Sequence, residues 1–363
     1  MSGIMLITNR LEDSPKGGRE LLCKLNHDVL KEIYGNRLMV CELTKNPVRG
    51  VILAAKAFSG HIDGLSAKTI AQTVKQIRAK NVENVFVDGS NLGEIVRAIK
   101  AEFPEVRVLT FFHNVEAIFF WGALRQSKTP RSLAVTIANY LAEKKSVRYS
   151  DYIISLSERD SRLLKRLYGR TATNISPIAL QDKFTEISDL SDSAVSEGYA
   201  LFVGGSFYAN RAGIKWFVKH VSPHIRIKTC IVGKGLEDLR RELEAQGKVE
   251  IVGEVESLAE WYLNAHFVIA PVFDGSGMKT KVAEALMFGK KIIGTPEAFS
   301  GYEDIANSAG CVCVTPGEFI RAIEHTDTMI KSPFDTKLRS IYEEKYSYAA
   351  AKKRLTDMLL SIG

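Results

Sequence analysis

Along the whole chain, short β-branched apolar runs alternate with stretches of helical periodicity, the signature of parallel sheets covered by helices. In the first half the runs are Ile4–Thr8, Leu38–Leu43, Val85–Asp88, Val106–Phe112 and Tyr152–Leu156. Helical stretches such as Gly18–Tyr34, Leu92–Glu102 and Arg131–Tyr149 lie between them. The second half repeats the pattern with Ala200–Gly204, Thr229–Gly233, Val249–Val252, Phe267–Val272, Lys291–Thr295 and Cys311–Val314. A polar, strand-free stretch, TEISDLSDSAVSEG at 185–198, separates the two sets. The expected fold class is therefore α/β with two doubly wound domains, over 1–184 and 199–340, joined by a linker at 185–198. Residues 341–363 read as a C-terminal helix, over Lys345–Leu360, that can return to the first domain.

At 363 residues the chain is long enough for two ordinary cores, and its 45% hydrophobic and 25% charged content is globular. No apolar run approaches the roughly 20 residues of a spanning helix. The start, MSGIMLITNR, is too short and wrongly flanked for a secretory signal, so a cytoplasmic location is expected. Cys23, Cys41, Cys230, Cys311 and Cys313 are odd in number and sit mostly in apolar runs, which fits reduced core packing rather than disulfides. Cys311 and Cys313 lack the second pair that a zinc site needs.

Charge is unevenly divided. Residues 1–184 hold 28 Lys and Arg against 18 Asp and Glu, a net of +10, while the remainder holds 21 against 24, a net of −3. An anionic membrane surface, a phosphorylated partner or a lysine-rich solvated face each accounts for that asymmetry. Nucleic acid has the charge in its favour but no motif, and none is expected as a partner. The membrane reading makes the protein peripheral at the inner face of the membrane, with candidates at Arg125–Arg131, Lys144, Lys145 and Arg148 beside Trp121 and Leu124.

In open parallel sheets, ligands bind beyond the carboxyl ends of strands. The stretch FDGSGMKTKVAEALMFGKKIIGTPE, 273–297, occupies that position: a Gly-Ser-Gly loop leads into a helix expected to start near Met278. Small residues let backbone N–H groups approach an anion, and the helix N-terminus carries partial positive charge. Lys279 and Lys281 add mobile charge, and Glu284, about two turns in, is placed to accept hydrogen bonds from a sugar's hydroxyls. A second small-residue turn, Gly204, Gly205 and Ser206, follows strand 200–204, with Arg211 at the start of the next helix. Two such loops on one sheet point to a diphosphate with a ribose attached.

These blocks resemble the donor domain of glycosyltransferase family 4, the glycosyl transferases group 1. The matching stretches are LFVGGSFYANRAGIKWF, TCIVGKG, VEIVGEVESLAEWYLNAHFVIAPV and GSGMKTKVAEALMFGKKIIGT. KGGREL, VFVDGSNLGEIVRAI, TFFHNVE and SDYIISLSERDSRLLKRLYG resemble that family's N-terminal domain. The resemblance implies the GT-B fold, two Rossmann-like domains facing each other across a cleft. A nucleotide sugar would sit in the second domain, and a glycan or lipid-linked acceptor mainly in the first. It also implies transfer with retention, in synthesis of a surface polysaccharide or other glycoconjugate. Carried over by residue, Glu284 contacts the donor ribose, Gly277 and Met278 turn over the diphosphate with Lys279 beside them, and Gly205, Ser206 and Arg211 form the first phosphate loop. Gly18, after Gly17 at the head of the first long helix, lets backbone approach the diphosphate. His113, just beyond strand 106–112, faces the donor sugar and is the catalytic candidate. Asn114 and Glu116 either touch acceptor or cap the next helix, and Phe119, Phe120 and Trp121 line an acceptor groove or fill core.

One departure stands out. Ser276 takes the place of the first acid of the family's Glu-x7-Glu pair, with Asp274 two residues away. No Asp-x-Asp triplet occurs, so no metal is expected, and the donor's charge falls to basic side chains and helix dipoles; no cofactor is expected beyond the nucleotide sugar as substrate. Loss of the first acid also suits a non-catalytic nucleotide-sugar-binding or scaffold subunit. A nicotinamide oxidoreductase is disfavoured, because neither loop matches G-x-G-x-x-G with an acid about 20 residues on.

Overall fold

The computed structural model of the protein describes residues 3–12, 15, 17–44, 56–184, 198–246, 248–329 and 334–362. Apart from Gly198, the expected linker 185–198 lies outside the described residues. The chain divides into two units, one formed by Met1–Ile178 with Ala351–Gly363 and the other by Ala179–Ala350.

In the first unit, strands β1 (Ile4–Asn9), β2 (Leu38–Leu43), β3 (Asn84–Asp88), β4 (Arg107–Phe112), β5 (Tyr152–Ser155) and β6 (Asn174–Ile175) form one sheet in the order β2-β1-β3-β4-β5-β6. Every pairing is parallel, with Ile4 opposite Leu38 on one side and Asn84 on the other. Because helices cover both faces, the central strands read as unbroken apolar runs rather than alternations. Ile4 to Ile7 and Val85 to Val87 are all buried. The helices that bear on function are α1 (Gly18–Tyr34), α2 (Glu116–Ser127), α3 (Pro130–Tyr149) and α4 (Glu158–Tyr168). Helix α3 starts at Thr129 with a capping box to Ser132 and Pro130 in its first turn, a sequence-encoded start.

The second unit repeats the plan with β7 (Tyr199–Val203), β8 (Thr229–Val232), β9 (Val249–Gly253), β10 (Ala265–Ala270), β11 (Ile292–Gly294) and β12 (Gly310–Val312), ordered β12-β11-β10-β7-β8-β9. The sheet is parallel throughout, and its strand order is that of a dinucleotide-binding Rossmann sheet. Its core gathers Phe202, Phe217, Ile231, Phe267 and Phe319. Helices α5 (Tyr208–His220) and α6 (Thr280–Met287) follow β7 and β10.

Three boundaries differ from the sequence reading. Helix α6 starts at Thr280 with Lys279 as its N-cap residue, so Glu284 lies about one turn in rather than two. Residues 345–360 are not one helix: a π-helical segment, Tyr342–Tyr346, ends at extended Ser347, and α7 runs over Tyr348–Ile362. The division between units falls at Ile178/Ala179 instead of 185–198, and 341–350 stay with the second unit. The cause is local bonding. Leu180 forms a parallel bridge to Ser347, Tyr342 Oη donates to Leu180 O at 2.9 Å, and the Arg339 guanidinium holds Asp182 and Met287 O. Residues 351–363 belong to the first unit, where Lys352 pairs with Glu32 at 2.5 Å and Arg354 donates to Pro177 O.

Candidate functional site

Strand order picks out where a ligand fits in each unit, because a doubly wound sheet opens a crevice where connections leave in opposite directions. In the second unit that point lies between β7 and β10. The loops beyond their carboxyl ends are Gly204–Ser206 and Phe273–Lys279, the two that the sequence singled out.

The first loop is held by backbone. Gly204 N and Ser206 N donate to Val232 O and Lys234 O at 2.9 and 3.0 Å, joining it to the loop after β8. Gly235 has φ +80°, and a Cβ there would meet Ser206 Oγ at 2.7 Å. Glycine is therefore required at 235 for the loops to close together. Arg211, in the first turn of α5, spans the same seam: it donates to Gly235 O at 3.1 Å and forks onto Asp238 at 2.8 and 2.6 Å. Its charge is thus shared with Asp238, at the mouth of the loop rather than loose beside it.

The second loop is pinned at both ends. Thr295 Oγ1 donates to Val272 O, and Tyr302 Oη donates to Lys279 O at 3.0 Å. Gly277, at φ +66°, turns the chain so that Met278 is buried beneath. The sequence reading gave Lys279 and Lys281 mobile charge; the structure fixes both. Lys279 Nζ donates to Gly277 O and pairs with Glu297, each at 2.9 Å. Lys281 Nζ is buried, 4.2 Å from the Phe202 ring centroid, and donates to Asn210 Oδ1 at 2.9 Å. Asn210 Nδ2 in turn donates to Gly205 O at 3.0 Å, so Lys281 ties the second loop to the first. Burial lowers the Lys281 ammonium to about 7, against the opposing pull of Glu284.

Glu284 is half-buried on α6 and accepts from Tyr262 Oη at 2.8 Å. Burial raises its carboxyl, countered by Tyr262, Lys183 and Lys281. Tyr262 stacks on Phe288 with ring centroids 5.2 Å apart, which fixes its hydroxyl. The loop thus offers backbone N–H groups, a helix N-terminus, a buried cation of adjustable charge and a carboxylate one turn along. Asp274 Oδ1 accepts from Gly275 N at 2.9 Å, a local turn bond.

In the first unit the switch lies between β1 and β3, and a buried polar cluster fills it. Asp88, ending β3, accepts from Thr8 Oγ1 at 3.1 Å and Asn26 Nδ2 at 3.0 Å, and meets His113 Nε2 at 2.9 Å. Burial pushes the Asp88 carboxyl up, but His113 and its other donors bring it below the usual range. Cys23 Sγ lies 3.8 Å from His113 Nε2, and burial raises that thiol far above the thiolate range. Asp88, His113 and Cys23 have their donor atoms within 4.8 Å of one another, close enough to hold a metal ion. The hydrogen bonds to Thr8, Asn26 and His113 account for the carboxylate without one. His113 Nδ1 is buried with no hydrogen-bond partner among the described residues. The ring is therefore oriented by its Nε2 side and offers its other nitrogen.

Gly18 opens α1, with Gly17 extended as N-cap and the Glu20 carboxylate folded against Gly17. Next to it, Arg19 pairs with Asp63 at 2.6 Å. Glu116 is buried, and burial raises it to about 8, opposed by Arg19 and reinforced by Glu143. Its backbone N–H, with that of Ala117, is capped by the Glu143 carboxylate at 2.9 and 3.2 Å. Helix capping at this point is thus done from α3, not by Glu116 or Asn114. Phe119 and Phe120 are half-buried, whereas Trp121 is 52% exposed and is not core.

Residues that sequence reasoning passed over are Asp88, Asn26, Asn210, Tyr262 and Asp238. Only Asp88 carried a signal, as the charge closing the apolar run VFVD at a strand's carboxyl end. The others act through partners 22 to 71 positions away.

Residues 197–326, which include every loop of the second site, match the family described as Glycosyl transferases group 1, so the resemblance read from the sequence holds over that segment. The whole chain has the GT-B fold of known glycosyltransferases. A sucrose-phosphate synthase from Thermosynechococcus elongatus is similar over 100% of this chain and 99% of its own, with TM-score 0.75 and 15% identity. HepE of Anabaena, solved in complex with UDP, gives TM-score 0.68 at 14% identity over 99% and 100%. The lipopolysaccharide outer core galactosyltransferase WaaB, in its apo form, gives 0.62 at 12% over 99% and 100%. No curated protein matches the chain in sequence.

Proposed function

We propose that this protein is a glycosyltransferase that takes a sugar from a nucleotide-diphosphate sugar bound by the second unit. The observation that carries this reading is the pair of loops at the β7/β10 switch, joined through Lys281 and Asn210, with Glu284 one turn along α6. Backbone N–H groups and the helix N-terminus would take the diphosphate, and Glu284 the ribose hydroxyls. Uridine nucleotides head the donors to test, because HepE is solved with UDP and with UDP-glucose. His113, oriented by Asp88 and with Nδ1 unpaired, is assigned to the transferred sugar. Transfer with retention, a surface-glycan or glycoconjugate product, a reaction without metal and attachment to an anionic membrane complete the proposal. The acceptor is read as a glycan or lipid-linked glycan.

Isothermal titration calorimetry with UDP and a panel of UDP-sugars tests the donor site, and donor hydrolysis or transfer tests catalysis. Binding with hydrolysis supports the enzyme. Absence of nucleotide binding at millimolar concentration refutes the donor assignment. Ser276 in place of an acid favours a second reading, a nucleotide-sugar-binding subunit without catalysis. Tight binding with neither hydrolysis nor transfer across the panel would select it.

A further inference from the structure

Outside the polar cluster, the first unit carries an apolar cavity of about 470 Å³ between α2, α3 and α4, lined among others by Ala117, Trp121, Leu133, Ile137, Leu167 and Arg166. Among the described residues that line it, Arg166 alone is charged, and it is exposed. Thr136, also in the wall, spends its hydroxyl on Phe120 O and Ser132 O at 3.1 and 2.8 Å, so it offers no donor to a polar ligand. The outer faces of its helices carry further exposed apolar side chains. Trp121 is 52% exposed, Leu133 47%, Ile137 41% and Leu141 37%. Large exposed apolar patches on a folded surface mark binding sites, and this one is continuous with a pocket of ligand size.

Charge decides between occupants. Residues 117–170 contain 11 Lys and Arg against four acids. Two of those acids, Glu143 and Asp160, are buried, and a third, Asp151, is paired with Lys100 at 3.0 Å. The stretch that builds the cavity thus carries a cationic excess, and with Arg166 on its wall the apolar slot is complementary to a hydrocarbon chain carrying an anionic head. Helix α2, which forms one wall, also leaves the carboxyl end of β4 three residues after His113, the residue assigned to the sugar. We propose that this cavity seats one hydrocarbon chain of a phosphate-bearing membrane lipid, with Arg166 at the phosphate, and that the acceptor is of this lipid-linked class. The inference rests on the reading of the first unit as the acceptor side.

Vesicles of phosphatidylglycerol with brominated acyl chains provide the test. Bromine quenches a tryptophan only in close contact, so quenching that vanishes in Trp121→Phe places that side chain among the chains. Leu133→Glu and Ile137→Glu, both at exposed positions, should each weaken vesicle binding roughly tenfold, the order expected when one or two methylene groups lose burial. Arg166→Glu should do so for phosphatidylglycerol, and neither inorganic phosphate nor glycerol phosphate should compete. Competition by inorganic phosphate, unchanged binding in both glutamate variants, or quenching that survives Trp121→Phe overturns the proposal. So does concentration-dependent self-association that the glutamate variants abolish while the wild type ignores vesicles, which would make a second copy the occupant. UDP calorimetry on the same preparation separates the two readings. Nucleotide binding without lipid quenching sinks the lipid seat alone, and quenching without nucleotide binding sinks the transferase reading alone.

Discussion

If the second unit binds the donor as proposed, Lys281 should make its affinity depend on pH. Its ammonium is buried under the Phe202 ring, beside Lys279, and burial holds it at about 7 in the free protein. A bound diphosphate places negative charge over the loops that Lys281 joins and favours the protonated form, so its value rises on binding. The free protein then takes up a proton whenever the donor binds above pH 7. Half of the free molecules carry it at pH 7 and about one in eleven at pH 8, so affinity should fall about fivefold over that unit and about tenfold over the next, or ~1.4 kcal/mol. A nucleotide sugar is the right ligand, because its diphosphate has no titration of its own near neutrality. Calorimetry at pH 8 in two buffers of different ionisation enthalpy should show uptake of nearly one proton per site. Lys281→Met should bind more weakly at pH 7 and lose both the uptake and the slope. Affinity that stays level from pH 7 to 9 in the natural protein, or a slope that persists in Lys281→Met, would refute the argument.

Other expectations follow from the same geometry. Glu284→Ala should cost about 1.5–3 kcal/mol of nucleotide affinity, measured by calorimetry, with the fold retained in circular dichroism. Tyr262→Phe, which removes the hydroxyl that Glu284 accepts from, should cost about 1 kcal/mol of the same affinity; no change would make the contact incidental. His113→Ala should lower turnover far more than UDP affinity, and equal losses in both would contradict its assignment to the sugar. Glu116 is raised to about 8 by burial, so the folded protein binds more protons than the unfolded chain between the ordinary carboxylate range and pH 8. Stability should therefore fall as pH rises through that window, and Glu116→Gln should flatten the part of the melting-temperature profile between pH 5 and 8 that Glu116 supplies.

The central strands were readable because parallel strands buried on both faces leave continuous β-branched runs, as at Ile4–Ile7 and Val85–Val87. Strand β6 was not, since Asn174 and Ile175 are only two residues long and polar on one side. Strand order was equally hidden: nothing in FVGGS or FDGSG says that β7 and β10 are neighbours, yet that adjacency makes two ordinary turns one site. Loop positions followed from the rule that ligands bind at carboxyl ends, whereas side-chain roles depended on distant partners. Lys281 read as mobile charge until Asn210, 71 residues earlier, was seen to hold it, and nothing beside Arg211 in the sequence pointed to its partner Asp238. For Trp121 the sequence left groove or core open, because a run of three aromatics beside His113 suits either, and only its 52% exposure removes core.

The interleaving of the two units sets an order in time. The second unit is a single uninterrupted segment, Ala179–Ala350, while the first needs Ala351–Gly363 to be whole. The second unit can therefore close without any part of the first, whereas the first is incomplete until α7 docks. Until then the surface that α7 covers, including Glu32 and Pro177 O, stands open to water and to other chains. A chain cut after Ala350 should accordingly carry a protease-resistant second unit beside a sensitive first one, and a peptide of residues 351–363 added in trans should move the latter toward resistance.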